Sequence, residues 1–436
     1  MRIERLLAAT LFVVAQAVLA TPKIEHWTTP AGAQVYFVAA AEIPMLDVRV
    51  VFNAGSACDG AKPGLASFTA GLMHEGAGEL DTNAFHDALG ATGASLGTGA
   101  MRDMAWVSLR TLSDPASADP ALALMQSTIR NPRFDAAALE RLREQALIGL
   151  KSEKESPDAM AERTFFAALY GDHPYGSPTA GTEDSVKTFT RADVIAFHQR
   201  YYVAANATVA IVGATDRAGA ERIAAAVLRD VPAGEPAAPL PPVAPLAAAR
   251  EAHVEFPATQ SHVWIGQTGL KRGDPDYFAL IVGNHVLGGN GLVSILADEI
   301  REKRGLSYSA QSQFEPLAEA GPFLASLQTK ASQEAEALKV LRATLAKFVA
   351  EGPSEKALAA AKQNLVGGFP LRLDGNGKII EYLAMIGFYH LPLDYLDTFT
   401  ERVAKITVDD VRDAFRRRVD PARMVTVTVG KQSGTR

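Results

Sequence analysis

The pattern of apolar and polar positions along the chain predicts a mixture of strands and helices. In residues 105–111 the two faces alternate, with Val107 and Leu109 on the apolar face, which predicts a strand. Further strands are predicted at residues 35–38, 46–52, 262–266, 308–314 and 321–329, the first two as a hairpin or as adjacent strands. Helices are predicted at residues 63–74, 135–154, 158–169, 276–287, 292–301, 332–350 and 353–368. Because the two kinds of element do not alternate strictly, we predict an α+β fold.

The chain also repeats one pattern near the end of each half. Thr190 and Thr407 are both predicted as helix N-caps, and each is followed by a helix, a turn and a buried strand that ends in a glycine at the same distance. Between the repeats, residues 231–246 contain six prolines and many alanines, which predicts an extended linker. We therefore predict two homologous halves, each a mostly antiparallel sheet covered by helices. The first half is placed at residues 21–230, the linker at 231–252 and the second half at 253–436.

The first 20 residues have the three parts of a secretory signal peptide. Arg2 and Arg5 precede a mainly apolar stretch at residues 6–19, and the small residue Ala20 ends it. A membrane anchor is the alternative, but the stretch is shorter than the roughly 20 apolar residues that a spanning helix needs. We therefore expect an exported mature protein that is soluble after cleavage, and a bacterial periplasm as its compartment.

Composition and charge narrow the classes of function. The chain is 48% hydrophobic and 21% charged, which is enough apolar material for a folded core. The net charge of −6 and the lack of a long basic block argue against a protein that binds nucleic acid or an anionic membrane. The single cysteine, Cys58, can form neither an internal disulfide nor a cysteine-based zinc site.

Two stretches of the sequence resemble the pitrilysin, insulinase and mitochondrial processing peptidase family of zinc peptidases. The first stretch comprises residues 53–56, 63–66 and 75–76, and the second comprises residues 287–291 and 299–309, with the sequence Glu-Ile-Arg-Glu-Lys-Arg-Gly-Leu-Ser-Tyr-Ser in the latter. The run His-Pro-Tyr-Gly at residues 173–176 is also typical of the family. The resemblance implies that the two halves face each other as a clamshell around a peptide chamber.

The resemblance also locates a zinc motif that this chain has lost. Active members carry His-x-x-Glu-His, in which two imidazoles on one helical face bind Zn²⁺ and the carboxylate accepts a proton from the attacking water. This chain has Ser67, Ala70 and Gly71 at the three positions, and none of them can replace the missing groups. The third ligand of the family falls near Ile148-Gly149-Leu150, where Glu144 and Glu153 are out of register. We therefore predict no metal in this chain.

The second half retains a pair of residues that the family uses on its substrate. Active members place an arginine and, seven residues later, a tyrosine where both hydrogen-bond the peptide near the scissile carbonyl, and Arg301 and Tyr308 have this spacing. A helix that ends after Arg301, a turn at Gly305 and a strand that begins at Tyr308 would bring both side chains to one patch. The alternative is structural, with an exposed arginine at a helix end and a half-buried strand tyrosine.

The glycine-rich run Gly288-Gly289-Asn290-Gly291 is a candidate substrate-binding segment. No Gly-Lys-Ser or Gly-Lys-Thr follows it, so it is not a phosphate-binding loop. The resemblance implies flexible backbone beside a peptide channel, whereas the structural alternative is a plain turn between two helices.

These observations predict a non-catalytic subunit of a two-chain metallopeptidase. A homologous partner would carry His-x-x-Glu-His and the zinc ion, while this chain supplies Arg301, Tyr308 and part of the wall of the chamber that holds a peptide substrate. The chain alone is not expected to be active. The competing interpretation is a non-enzymatic scaffold or peptide-binding protein with the same fold, and a weaker one is a self-sufficient peptidase with unusual ligands.

Overall fold

The computed structural model describes residues 21–431. The predicted signal peptide at residues 1–20 lies outside the described residues. No helix within 21–431 combines the length and the apolar character that crossing a bilayer requires.

Two β-sheets form the framework, one from each side of the proline-rich segment. Within residues 21–431 the first sheet has six strands in the order β1-β2-β6-β3-β5-β4. Its strands are β1 Glu25–Thr28, β2 Gln34–Ala39, β3 Met45–Phe52, β4 Ser95–Ala100, β5 Ala105–Leu112 and β6 Ala207–Gly213. The second sheet has five strands in the order β7-β11-β8-β10-β9. Its strands are β7 Arg250–Glu255, β8 Gln260–Thr268, β9 Ser307–Phe314, β10 Pro322–Lys330 and β11 Val425–Gly430.

The prediction that residues 35–38 and 46–52 form a hairpin or adjacent strands is wrong. Strand β6 lies between them and pairs parallel with β2 and antiparallel with β3. Every residue of β6 is buried, because its sequence is apolar or small on both faces. Such a strand is most stable in the interior of a sheet, where helices cover both sides. It therefore separates two strands that follow each other in the sequence.

The second half repeats this arrangement. Strand β11 is also buried along its whole length and lies between β7 and β8, parallel to the first and antiparallel to the second. The helices that precede β6 and β11 begin with the same capping box, formed by Thr190 with Asp193 and by Thr407 with Asp410. The predicted α+β fold of two similar halves is confirmed. The boundaries predicted at 230 and 252 stay predictions, although β7 already begins at Arg250.

Helices cover both sheets. Those of the first half are α1 Leu65–Met73, α2 Thr82–Thr92, α3 Pro115–Arg130, α4 Ala136–Glu153, α5 Pro157–Tyr170, α6 Glu183–Thr188, α7 Arg191–Tyr201 and α8 Arg217–Val227. Those of the second half are α9 Tyr277–Asn284, α10 Glu334–Glu351, α11 Glu355–Gly368, α12 Asn376–Phe388, α13 Tyr395–Lys405 and α14 Val408–Arg418.

One helix of each half lies on the sheet of the other half. Helix α5 packs Phe165 and Leu169 into a core with Val425 and Val427 of β11. Helix α12 lies on the first sheet, where Gly387 comes so close to Tyr36 that a Cβ atom would meet the ring at 2.7 Å. The two halves close on each other through these helices, and two of the buried hydrophobic clusters contain residues of both halves.

The predicted helices at 276–287 and 292–301 differ from the structure in their bounds. Helix α9 ends at Asn284 and continues as a π-helical turn, His285–Gly289. A short 3-10 turn, Gly291–Val293, follows, and the next helical segment is a π-helix, Ala297–Glu302. The Ser294 hydroxyl accepts a hydrogen bond from the Ala297 amide at 3.3 Å, so a new helix begins here with its own cap.

Candidate functional site

The positions of the lost zinc motif lie on α1, whose first turn is held by a buried carboxylate. Asp59 accepts hydrogen bonds from the backbone amides of Gly64 and Ala66, both at 2.7 Å. Burial raises the pKa of Asp59 to about 7, against the opposing effect of the two amides. The backbone of the motif helix is therefore fixed even though its ligands are missing.

The three motif positions are occupied by packing and by hydrogen bonds to the backbone. The Ser67 hydroxyl donates to the Thr179 carbonyl at 2.9 Å. Ala70 is buried, and its carbonyl accepts from the Thr98 hydroxyl at 2.6 Å. A Cβ atom built on Gly71 would meet a methyl group of Leu142 at 3.0 Å. The leucine of α4 thus occupies the space beside α1 into which a side chain at position 71 would project.

A cavity of about 230 Å³ lies between α1 and α4 beside these positions. Ser67, Leu142, Gly149 and Leu150 line it, and Glu153 is the one carboxylate in its lining. Ile148 points away, with 69% of its surface exposed. One hydroxyl and one carboxylate do not make a zinc site, which needs three protein ligands of nitrogen, sulfur or carboxylate type. Across residues 21–431, no three His, Cys, Asp or Glu side chains come together in a way that could hold a metal ion.

The structure brings Arg301 and Tyr308 together. The guanidinium carbon of Arg301 lies 4.8 Å from the centroid of the Tyr308 ring, within the range of a cation–π contact. The turn between them is closed by a hydrogen bond of 2.8 Å from the Gly305 amide to the Arg301 carbonyl, and Gly305 has the positive φ of 60° that the turn requires. The two side chains lie at one end of the edge strand β9.

Neighbouring charges leave the Arg301 head group available. Lys303 and Arg304 both bond to Glu299 and lower the pKa of its carboxyl group. Within residues 21–431 Arg301 itself has one ion-pair contact, 3.4 Å from its Nε to Glu302, and that glutamate is exposed. An exposed pair of this kind is worth less than about 1 kcal/mol. A ligand anion or carbonyl can therefore replace Glu302 at little cost.

A β-bulge directs Tyr308 outward. Ala310 pairs with Leu327 and Ser307 pairs with Thr329, so Tyr308 and Ser309 together oppose one residue of β10. The Ser307 hydroxyl lies 2.6 Å from the carbonyls of Ser309 and of Gln328, which pins the two sides of the bulge. The tyrosine ring is consequently 80% exposed. The sequence gives no sign of this bulge.

The glycine-rich run has two different environments. Gly288 is buried against β9, and a Cβ atom there would meet the Ser312 hydroxyl at 2.4 Å and its amide nitrogen at 2.5 Å. Asn284 stabilises the same contact, because its amide group donates a hydrogen bond to the Ser312 carbonyl and accepts one from the Ser312 hydroxyl. Gly291, by contrast, is exposed and has a φ of 50° with open space around its Cα. Close packing on β9 explains the glycine at position 288, whereas the positive φ of the turn explains the glycine at position 291.

An exposed apolar segment packs beside β9, the strand that carries Tyr308. The turn Gly291–Val293 packs beside β9, and Leu292 and Val293 are 58% and 79% exposed. Together with Tyr308 these side chains form what we call the β9 patch. The sequence analysis missed Leu292 and Val293, because an apolar pair next to a predicted helix is normally taken as part of its buried face.

A two-half α+β protein with this decayed motif and this retained pair has the architecture of a zinc peptidase without the metal ligands. Comparison with family models agrees. The model described as insulinase, peptidase family M16, matches residues 37–183, and the model described as the peptidase M16 inactive domain matches residues 188–365. The chain belongs to the peptidase M16 family, and the resemblance seen in the sequence is confirmed.

Individual relatives extend over most of the chain. A solved structure of a peptidase M16 inactive domain from Pseudomonas fluorescens is 38% identical, with a TM-score of 0.91 over 95% of this chain and 99% of that one. An uncharacterized zinc protease of Mycobacterium tuberculosis is 27% identical over 397 residues, 89% of each chain. A Helicobacter pylori protein named a non-peptidase homolog is 24% identical over 376 residues, 85% of each chain.

Proposed function

We propose that this chain is the zinc-free subunit of a two-chain metallopeptidase that acts in the periplasm. The observation that carries the proposal is the contact between the half-buried Arg301 and the exposed Tyr308 in a chain whose motif positions hold Ser67, Ala70 and Gly71. A chain that had lost all contact with substrate chemistry would have no use for a guanidinium and a phenol held together at the end of an edge strand.

The pair has the chemistry to stabilise an oxyanion. The phenol of Tyr308 and the guanidinium of Arg301 both donate hydrogen bonds, and a peptide carbonyl under attack develops negative charge on its oxygen. Removal of one such donor typically costs about 2.7–4 kcal/mol of transition-state stabilisation. The partner supplies the zinc site and the general base, and this chain holds the carbonyl oxygen.

The exposure of Tyr308 supports a role in a complex. Donors surrounded by water stabilise a charge weakly, because the effective dielectric constant is high, whereas donors covered by a protein surface act far more strongly. Tyr308 is 80% exposed in the single chain, and Leu292 and Val293 of the turn that packs on β9 are also exposed. A partner and a bound peptide would exclude water from the β9 patch and so make the two donors effective.

The edge of β9 offers a mode of binding for an extended peptide. Among the described strands, β9 pairs with β10 alone. Asn284 and Gly288 already cover the backbone of Ser312, so a further strand would have to add at the end of the edge near Tyr308. Its sequence, Ser-Tyr-Ser-Ala-Gln-Ser-Gln-Phe, contains neither a charge nor a proline, so the bulge at Tyr308 is the one sequence-local protection of this edge. A peptide that adds to this edge as a further strand would run alongside Tyr308.

The second candidate is a peptide-binding or scaffold protein without a part in catalysis. The Helicobacter pylori relative that is named a non-peptidase homolog favours this alternative. The two functions differ in what Tyr308 must do. A scaffold needs the area of its ring, whereas a catalytic complex also needs its hydroxyl.

The test combines this chain with the product of a neighbouring gene that carries His-x-x-Glu-His. Cleavage of an unfolded peptide is measured for each chain alone and for the mixture. We expect cleavage in the mixture, and a loss of about 100-fold or more in kcat/KM for Tyr308→Phe and for Arg301→Ala. Arg304→Ala is the matched control, because Arg304 lies in the same turn but is bonded to Glu299.

Three results would contradict the proposal. One is cleavage by this chain alone, and another is unchanged kcat/KM in both variants. The third is a stable complex without cleavage of any peptide, which would leave the scaffold function in its place. Tyr308→Phe removes a single exposed hydroxyl, so a loss of activity there cannot be attributed to unfolding.

A further inference from the structure

A second cleft, of about 460 Å³, opens in the second half of the chain. It lies between the turn at residues 271–275, the start of α9 and the last turns of α13, and it shares no lining residue with the cavity between α1 and α4. Its volume is in the range of sites that hold small ligands. Aromatic side chains form much of its wall, namely those of Tyr277, Phe278 and Tyr395.

Two arginines give the cleft its positive charge. The Cζ atom of Arg402 lies 5.1 Å from the ring centroid of Phe278, and that of Arg272 lies 5.5 Å from the ring centroid of Tyr389. The Nε atom of Arg272 is buried and has no hydrogen-bond partner among residues 21–431. Neither guanidinium forms an ion pair with a carboxylate in this described range. Both are held against aromatic rings with hydrogen-bonding capacity left over.

The acidic groups around the cleft are already neutralised. Arg418 pairs with Asp274 at 2.9 Å and with Asp276 at 2.7 Å, and Arg417 adds a second contact to Asp276. Lys405 at the rim is likewise paired, with a glutamate of its own helix. Among the described residues, the arginines of the cleft that pair with no carboxylate are therefore Arg402, on the aromatic wall, and Arg272, which lines the cleft and lies against Tyr389 behind it.

We propose that this cleft binds a carboxylate carried on an aromatic or aliphatic body, the chemistry of the C-terminal residue of a peptide. A guanidinium offers two parallel N–H donors that match a carboxylate, and Arg272 and Arg402 both line the cleft. The body of the ligand lies against Phe278 and Tyr395, where apolar surface is buried on binding. The phenol of Tyr395 stays neutral, because burial raises its pKa, and it bonds to Tyr277.

Binding to the full chain is measured with three probes. The first is a fluorescein-labelled tetrapeptide that ends in a phenylalanine with a free carboxylate, and the second is the same peptide with a C-terminal amide. The third is N-acetylphenylalanine as a competitor, which distinguishes a small acid from a peptide as the source of the carboxylate. The measurement needs neither a partner chain nor peptide cleavage. The carboxylate site can therefore be disproved while the proposed function is upheld, and the proposed function can be disproved while the site is upheld.

We expect the free acid to bind and the amide to bind about tenfold more weakly or worse, since one charge-assisted contact is lost. Arg402→Gln and Arg272→Gln should each weaken the free acid by a similar factor. Lys339→Gln, an exposed lysine on α10, is the charge-matched control and should change nothing. Displacement by N-acetylphenylalanine at the same concentration as by unlabelled peptide places recognition in the terminal residue alone and supports the site.

Equal binding of acid and amide would overturn the proposal, as would unchanged affinity in Arg402→Gln. Arg402 is exposed, so its replacement leaves the fold intact and keeps the test valid even if Arg272→Gln is unstable. The absence of binding by all three probes at millimolar concentration would overturn it as well.

Discussion

The phenol of Tyr175 donates a hydrogen bond of 2.5 Å to the buried carboxylate of Asp103. The other oxygen of Asp103 accepts from the amide of Ala318 at 2.7 Å and from the phenol of Tyr389 at 2.9 Å. Asp103 and Tyr175 belong to the first half of the chain, and the other two donors belong to the second. The Asp103 carboxylate therefore connects the two halves through hydrogen bonds, and the tyrosine of the His-Pro-Tyr-Gly run belongs to this network.

Replacement of the carboxylate should weaken the whole molecule. In Asp103→Asn, an amide NH₂ group faces donors that have lost their acceptor, and each charge-assisted hydrogen bond is worth about 1.5–3 kcal/mol. We expect the free energy of unfolding to fall by about 3 kcal/mol in urea denaturation. Asp119→Asn, an exposed position on α3, is the control and should stay within about 0.5 kcal/mol of the parent. An unchanged free energy of unfolding in Asp103→Asn would show that the association of the two halves does not depend on this carboxylate.

Gly288 should tolerate no side chain, unlike a glycine in an ordinary helical position. A Cβ at 288 would meet Ser312 of β9 at 2.4 Å, so Gly288→Ala must displace the strand and should cost about 1–3 kcal/mol. Gly367 of α11 has open space around it, and Gly367→Ala should stabilise the protein by about 0.5–1 kcal/mol. Thermal melts of the two variants measure the contrast. Equal effects would mean that the run at 288 is not packed on β9.

His198 should make the protein sensitive to acid. Burial lowers the pKa of His198 to about 4, whereas an unfolded histidine titrates near 6.5. The unfolded state therefore binds a proton at His198 more readily than the folded state does. The free energy of unfolding is unaffected by this group above about pH 6.5 and falls as the pH is lowered, by about 3 kcal/mol at pH 4.

The check compares His198→Gln with the parent in urea at pH 7 and at pH 4.5. The variant should lose less stability between these two values, because glutamine can donate to the Ile129 carbonyl in place of the imidazole and does not titrate. His26→Gln, at an exposed histidine, should keep the parent's dependence. If His198→Gln and the parent lose the same stability, the buried imidazole is not responsible.

Restoration of the three motif residues should not restore a zinc site. In the triple variant Ser67→His, Ala70→Glu and Gly71→His, the side chain of Leu142 stands in the way of the new histidine at 71. Gly149 and Leu150 of α4, near the position of the family's third ligand, carry no group that binds a metal, and Glu153 is the one carboxylate in the lining of the adjoining cavity. We expect no stoichiometric zinc after dialysis against excess metal. Tight binding by the triple variant would mean that the loss of the motif alone separates this chain from its metal-binding relatives.

Local patterns in the sequence predicted much of the fold. The N-caps predicted at Thr190 and Thr407 depend on short-range patterns, and the equal spacing from each cap to the glycine that ends the following strand located the repeat. The approach of Arg301 to Tyr308 also followed from local geometry, because seven residues that form a helix end, a turn and a strand start leave little freedom. The order of strands could not be predicted in this way, because the place of β6 between β2 and β3 depends on the burial of both its faces against distant helices.

The parts of the candidate site that were missed depend on contacts between remote residues. Leu142 fills the space beside Gly71 from another helix, and the bulge at Tyr308 depends on its register with β10. Arg272 and Arg402 are far apart in the sequence and line one cleft only because the turn at 271–275 packs beside α13. A pattern within one segment carries no information about such encounters.

The placement of α5 and α12 has a consequence for the origin of the chain. The two helices occupy corresponding places in the repeat, and each is donated to the opposite sheet. Two free copies of a single ancestral half could make the same donation around a twofold axis, as a domain-swapped dimer. The fused polypeptide would then keep the interface of that dimer within one molecule. Cleavage of the chain between α8 and β7 would leave two fragments that stay associated through α5 and α12.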